Sequence, residues 1–212
     1  MSAFTLKLIA IITMIIDHVG FLLFSEYEIF RIIGRISFPI FCFLLVEGYY
    51  HTRNVYKYLA RLLLFAIISE PIFDRAFYGE WIYLKSGNVF ITLSVGLVFM
   101  IILGKMQSVI EKSIVFLVFL LMASYIPMDY GVYGIAMIGG FYLLKEKKIA
   151  GIICQGLINI KLMGGLQAYG IIGATITTFY NGKKGCSKLK YAFYILYPLH
   201  LLILIFIAEF LK

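Results

Sequence analysis

Long apolar runs, separated by short stretches holding Gly, Pro and charged residues, repeat along the whole chain. A bilayer core about 30 Å thick takes roughly 20 residues of helix, with about 17 to 25 tolerated. On that measure the runs predict nine transmembrane helices, near residues 4–24, 30–50, 57–73, 88–104, 113–127, 130–145, 148–162, 165–181 and 191–211. The fifth to eighth are short and divided by tight Pro- or Gly-containing joints, at residues 126–131 and 163–165, so the count runs from eight to ten and one segment also reads as re-entrant. The expected fold class is therefore an all-α, polytopic transmembrane helix bundle, a single integral membrane domain over residues 1–212. The opening run is read as the first span and not as a cleavable signal, because it holds Asp17 and His18, lacks an Ala-x-Ala site and is followed by many further spans.

Composition supports the bilayer as solvent. The chain is 62% hydrophobic and 14% charged, too few charges to coat a water-soluble fold of this length. The net charge of +8 comes from basic residues in small clusters between apolar runs, which argues for topology signals and against a nucleic-acid partner. With the N-terminus cytoplasmic, the inner side carries Lys7; Arg53, Lys57 and Arg61; Lys105 and Lys112; Lys145, Lys147 and Lys148; and Lys183, Lys184, Lys188 and Lys190. That is 13 of the 19 Lys and Arg, against Arg31, Arg35, Arg75, Lys85, Lys161 and Lys212 outside. This alternation fits an odd number of helices in the inner membrane of a bacterium. Cys42, Cys154 and Cys186 form no CxxC or Cys/His cluster, so no disulfide framework, metal site or bound cofactor is expected.

Candidate chemistry lies in the ionisable residues inside the spans. Lys7 and His18 are eleven residues apart, about 1100° of helix and some 20° from three full turns, so both point the same way about 16 Å apart. Asp17 costs roughly 2.5–3.5 kcal/mol inside a span and should face the protein interior, unless it only marks the outer helix end. It could orient His18 as a general base or pair with an arginine of another helix, since adjacent helical residues diverge. Arg31 and Arg35, four apart, share one face beside Gly34, with a kink expected at Pro39; two guanidinium forks suit a carboxylate, a phosphate or a substrate anion, and interfacial snorkelling is the structural alternative. Glu47 is a buried acid that Arg61 on the next helix could neutralise. Asn88 and Asp129 serve equally as helix N-caps or as site residues. Tyr197 and His200 bring polar groups into the last span, as interhelical hydrogen-bonding or site residues.

These motifs, taken together, resemble the TraX family over nearly the whole chain: Asp17-His18 with Lys7 eleven residues before the histidine, Arg31-x2-Gly34-Arg35-Ile36-Ser37-Phe38-Pro39-Ile40-Phe41, Glu47-Gly48-Tyr49, Tyr58-x2-Arg61-Leu62, Ser69, Asn88, Asp129-Tyr130-Gly131-Val132-Tyr133-Gly134 and Tyr194-x2-Tyr197-Pro198-x-His200. The family takes its name from the conjugation-system enzyme that N-acetylates pilin at its N-terminus, so the resemblance implies a membrane acetyltransferase. The first span is also similar to the opening helix of the larger family of membrane O-acyltransferases, in which an Arg and a His stand eleven residues apart. Lys7 occupies the Arg position here, keeping the charge without the bidentate fork.

By this resemblance acetyl-CoA is the acyl donor, His18 the general base with Asp17, Arg31 and Arg35 beside it, and Lys7 and Arg61 contact the donor. Glu47, Asn88, Asp129, Tyr197 and His200 are candidate substrate contacts. The acceptor is a protein, a glycan or a lipid-linked sugar on the outer side or in the membrane. The competing expectation is a transporter in which Asp17, Arg31, Arg35, Glu47 and Asp129 line a proton or anion path. Against it, no internal repeat or matching pair of broken helices is found.

Overall fold

The computed structural model describes residues 1–186 and 192–211, whose regular structure is all helical, without a strand. In chain order the α-helices are α1 (Ala3–Leu23), α2 (Glu28–Gly34), α3 (Ser37–His51), α4 (Val55–Tyr78), α5 (Val89–Leu103), α6 (Val109–Tyr125), α7 (Gly131–Leu143), α8 (Lys148–Leu157), α9 (Gly170–Thr177) and α10 (Ala192–Phe210). A π-helical stretch, Ile158–Met163, continues α8, and a 3-10 turn, Gly165–Tyr169, leads into α9. Joining α2 to α3, α8 to its extension and the 3-10 turn to α9 gives nine helical segments near the expected positions. Lys188, Lys190 and Lys212, assigned above to loops and a terminus, lie outside the described residues.

Three segments are long and apolar enough to cross a membrane by length and composition: Ala3–Leu23, Glu28–His51 and Ala192–Phe210. Val89–Leu103 and Gly131–Leu143 are shorter apolar helices. At 24 residues α4 has the length, but it carries Lys57, Arg61, Glu70, Asp74 and Arg75.

Local chemistry explains where the boundaries fall. Ser2, Asn54 and Asn88 cap α1, α4 and α5 by accepting from backbone N–H groups of the first turn. Ser108 and Glu111 form a capping box at the start of α6. The kink expected at Pro39 is instead a break at Arg35 and Ile36, which form a turn between α2 and α3. Pro39 sits in the first turn of α3, where a missing N–H is tolerated, and it offers no donor to the Arg35 carbonyl that a continuous helix would require. The third segment runs further than expected, through Pro71 to Gly79, whose φ of 76° ends it. Beyond Pro71 the helix still buries Phe73 and Asp74.

The core is centred on α3, α5 and α7, where Phe38, Leu97, Phe99, Met100, Met137 and Ile138 are fully enclosed. Around it, α1 packs on α2, α3 and α10, and α4 packs on α5 and α10. The basic joints meet at one end. Lys145, between α7 and α8, reaches Glu47 near the end of α3, and the segment after α9 pairs with the start of α1 through Lys183 O and Lys184 O. At the opposite end Arg75 of α4 meets Glu209 of α10 at 2.5 Å.

Candidate functional site

Asp17 is 6% exposed and faces α2. Its Oδ2 accepts from Arg31 Nη1 at 3.0 Å and its Oδ1 from Arg35 Nη2 at 2.5 Å. The i, i+4 spacing of the two arginines on a helical turn delivers both forks to one carboxylate. Gly34 makes the approach possible, because a Cβ there would lie 2.0 Å from Asp17 Oδ1. Two guanidinium charges thus meet the one Asp17 carboxylate in partly buried surroundings, with Asp129 a further acid within their electrostatic reach. From Arg35 the hydrogen bonds continue: Nη1 donates to Gln167 Oε1 at 3.1 Å, Gln167 Nε2 to Tyr133 OH at 2.8 Å, Tyr133 OH to Asn159 Oδ1 at 2.8 Å, and Asn159 Nδ2 to Gln155 O at 2.7 Å. The network links α1, α2, α7 and the α8–α9 hairpin.

His18, one residue on, faces α10. Its Nδ1 lies 2.7 Å from Nε2 of His200, with the two ring planes within 7° of parallel and their centroids 5.0 Å apart, edge to edge. The edges of Phe77 and Tyr197 enclose the pair at centroid distances of 5.3 and 6.3 Å from His18. The eleven-residue register with Lys7 holds in three dimensions, since Lys7 also meets α10, its Nζ 5.6 Å from the Phe193 ring centroid. Asp17 thus pairs with Arg31 and Arg35, while His18 Nδ1 takes His200 and not the adjacent carboxylate as its partner.

A cavity of about 680 Å³ opens at the basic end of the bundle. Its mouth carries Arg53, Lys57 and Lys184, and its wall follows α1 through Lys7 and Ile11 to Met14, one turn short of His18. Tyr197, which packs against His18, lines it as well. Aromatic rings of Tyr58, Phe90, Phe193 and Tyr194 form much of the rest. Among the described residues no carboxylate forms an ion pair with Arg53, Lys57, Arg61 or Lys184. The guanidinium of Arg61 lies 5.6 Å from the Tyr58 ring centroid, and its Nε is buried without a hydrogen-bond partner.

With this geometry in hand, comparison with known proteins gives a direct result: the family model described as TraX protein matches residues 2–208. The chain belongs to the TraX family. A probable fimbrial assembly protein FimC, serogroup H1, of Dichelobacter nodosus is 32% identical over 96% of this chain and 94% of its own length. An uncharacterized protein RP591 of Rickettsia prowazekii (strain Madrid E) is 29% identical over 70% of this chain and 58% of its own. No solved structure matches the chain.

In this TraX family member the sequence-predicted residues divide. Asp17, Arg31 and Arg35 come together, His18 joins His200 and Tyr197, and Lys7, Arg61, Glu47 and Tyr197 line the cavity. Glu47 does not pair with Arg61. Lys145 lies 3.1 Å from it and His51 3.6 Å, because α3 ends beside the α7–α8 joint and the Arg61 guanidinium stacks on Tyr58 instead. Asn88 is committed to structure: besides capping α5 it donates to Ala66 O at 2.8 Å and to Glu70, tying α5 to α4. Asp129 does not cap α7, whose N-cap is Tyr130; it sits exposed between α6 and α7, within electrostatic reach of Arg31 and Arg35. Sequence reasoning missed the amides Gln155, Asn159 and Gln167. The signal for them was present, since three carboxamides in apolar segments need partners in a medium that offers none.

Proposed function

We propose that this TraX family protein is a multi-pass bacterial inner-membrane acetyltransferase that moves an acetyl group from acetyl-CoA to an amine or hydroxyl of a membrane-held or extracytoplasmic acceptor. The observation that carries the reading is the course of the cavity, from a mouth of three cations to within one helical turn of a buried histidine. Arg53, Lys57, Lys184 and Arg61 suit the phosphates of the coenzyme, and the apolar and aromatic wall suits its pantetheine arm. The eleven residues from Lys7 to His18 span about 16 Å, a distance such an arm can bridge.

His18 Nε2 takes the proton of the acceptor amine or hydroxyl as that group attacks the thioester carbonyl. The tetrahedral oxyanion collapses, the C–S bond breaks, and His18 returns the proton to the thiolate, releasing free coenzyme and the acetylated acceptor. The guanidinium groups of Arg31 and Arg35, within electrostatic reach of His18, favour the oxyanion. Family membership and the fimbrial assembly name of the Dichelobacter nodosus relative support a pilus protein as acceptor; a glycan or lipid-linked sugar fits the same chemistry.

The test is incubation of the purified protein, reconstituted in lipid, with radiolabelled acetyl-CoA and a bacterial membrane extract. Label should pass to a membrane component with wild type and not with His18→Ala. Failure to consume thioester under any condition overturns the reading, and solute flux in liposomes without transfer would favour a transporter.

A further inference from the structure

The hydrogen bonds around the two buried histidines determine where each ring carries its proton. His200 Nδ1 lies 2.8 Å from the Leu196 carbonyl oxygen, which can only accept. Nδ1 of His200 is therefore the protonated nitrogen, and Nε2 of the neutral ring holds a lone pair. That Nε2 is 2.7 Å from His18 Nδ1, so His18 Nδ1 must carry a hydrogen and donate it. The remaining nitrogen of His18, Nε2, is left with the lone pair and with no hydrogen bond to a described residue.

We infer that His200 is a positioning residue that fixes the tautomer of His18, so that the nitrogen with the available lone pair is Nε2. The inference rests on the acetyl-transfer reading for its purpose but on the hydrogen-bond geometry for its content. In hydrolase triads a carboxylate accepts from the base's second nitrogen. Here the neighbouring carboxylate faces away, Asp17 accepting from Arg31 and Arg35, and an imidazole from the last helix stands in its place. When His18 takes the acceptor's proton at Nε2, its Nδ1–H stays donated to His200 and the new positive charge is shared across that bond.

The sequence supplies the device locally. The i, i+4 step within α10 brings His200 Nδ1 back to the Leu196 carbonyl. Leu201, Leu204 and Ile205 are buried in the same stretch of helix.

The chain has only three histidines, so 15N-histidine labelling and magic-angle-spinning NMR in lipid resolve the tautomers, with His18→Ala and His51→Gln samples for assignment. The expected spectrum has His18 protonated on Nδ1 and bare on Nε2. His200→Gln places a carboxamide oxygen where the imidazole Nε2 accepts, and should keep that tautomer with transfer within a few-fold of wild type. His200→Leu, similar in bulk without an acceptor, should release the tautomer and lower kcat by roughly 10²-fold. KM for acetyl-CoA should hold, since His200 does not line the cavity. A wild-type His18 protonated on Nε2, or a His200→Leu protein with the wild-type tautomer and kcat, overturns the inference. If wild type consumes no thioester, the acetyl-transfer reading fails, while the tautomer spectrum still decides the assignment of His200.

Discussion

Two polar regions of the bundle stand in opposite surroundings. Around Asp17 the donors and acceptors meet one another: two arginines share one carboxylate, and the hydrogen bonds run on through Gln167, Tyr133 and Asn159 to the α8–α9 hairpin. At the basic end, Arg53, Lys57 and Lys184 ring an open mouth without carboxylate partners among the described residues, and Arg61 has a buried Nε that nothing accepts from. A closed network of buried charge is kept because removing one member strands the others. Exposed cations around a cavity are solvated by water, and on the proposed acetyl-transfer reading they meet the phosphates of the coenzyme. His18 lies where the two regions meet, one residue from the carboxylate and one turn beyond the cavity wall.

Substitutions can break this contrast, beginning with the largest effect. His18→Ala should lower transfer by about 10²–10⁴-fold while the protein still inserts and folds, read as labelled acetyl per mole of protein in lipid. Asp17→Ala strands two partly buried guanidinium groups and should cost about 2–3 kcal/mol of stability, measured by unfolding in mixed micelles. A fall within 1 kcal/mol would mean that the network is not the closed unit described here.

The cavity should respond in the opposite manner. Arg53→Gln with Lys57→Gln and Lys184→Gln should raise KM for acetyl-CoA roughly tenfold, equivalent to about 1.4 kcal/mol, with the unfolding midpoint unchanged. Smallest is Gln167→Leu, which removes a hydrogen bond at each end of one carboxamide. Interhelical hydrogen bonds in membranes average about 0.6 kcal/mol with a maximum near 1.7, so a loss near 1 kcal/mol is expected, with KM for acetyl-CoA held.

Much of this arrangement could be read before the fold was known, wherever a local period decides it. The step from Lys7 to His18 fixed a common face, and both residues meet α10. The spacing of Arg31 and Arg35 fixed another, and both reach Asp17. Burial of Asp17 followed from the cost of its charge in lipid. Partners far along the chain were not legible. The approach of His200 to His18 joins residues 182 positions apart, and no periodicity within either helix contains it. Glu47 had several cations nearer in sequence than Lys145, Arg53, Lys57 and Arg61 among them, and the choice came from how α3 ends against the α7–α8 joint. At Pro39 the sequence marked the disturbance correctly but not its form, since a helix missing one donor can bend or stop and the surrounding turn chose the stop.

The claim that the basic-end cavity receives the coenzyme thioester is tested most directly at Cys186. This thiol is exposed and lines the cavity mouth, whereas Cys42 is buried in the core. Alkylation of Cys186 by a maleimide, followed by mass spectrometry on the lipid-reconstituted protein, should slow several-fold with saturating acetyl-CoA, which has no free thiol of its own. S-acetylpantetheine, which lacks the nucleotide and its phosphates, should protect far less at the same concentration. An unchanged rate of Cys186 alkylation in saturating acetyl-CoA would contradict the account.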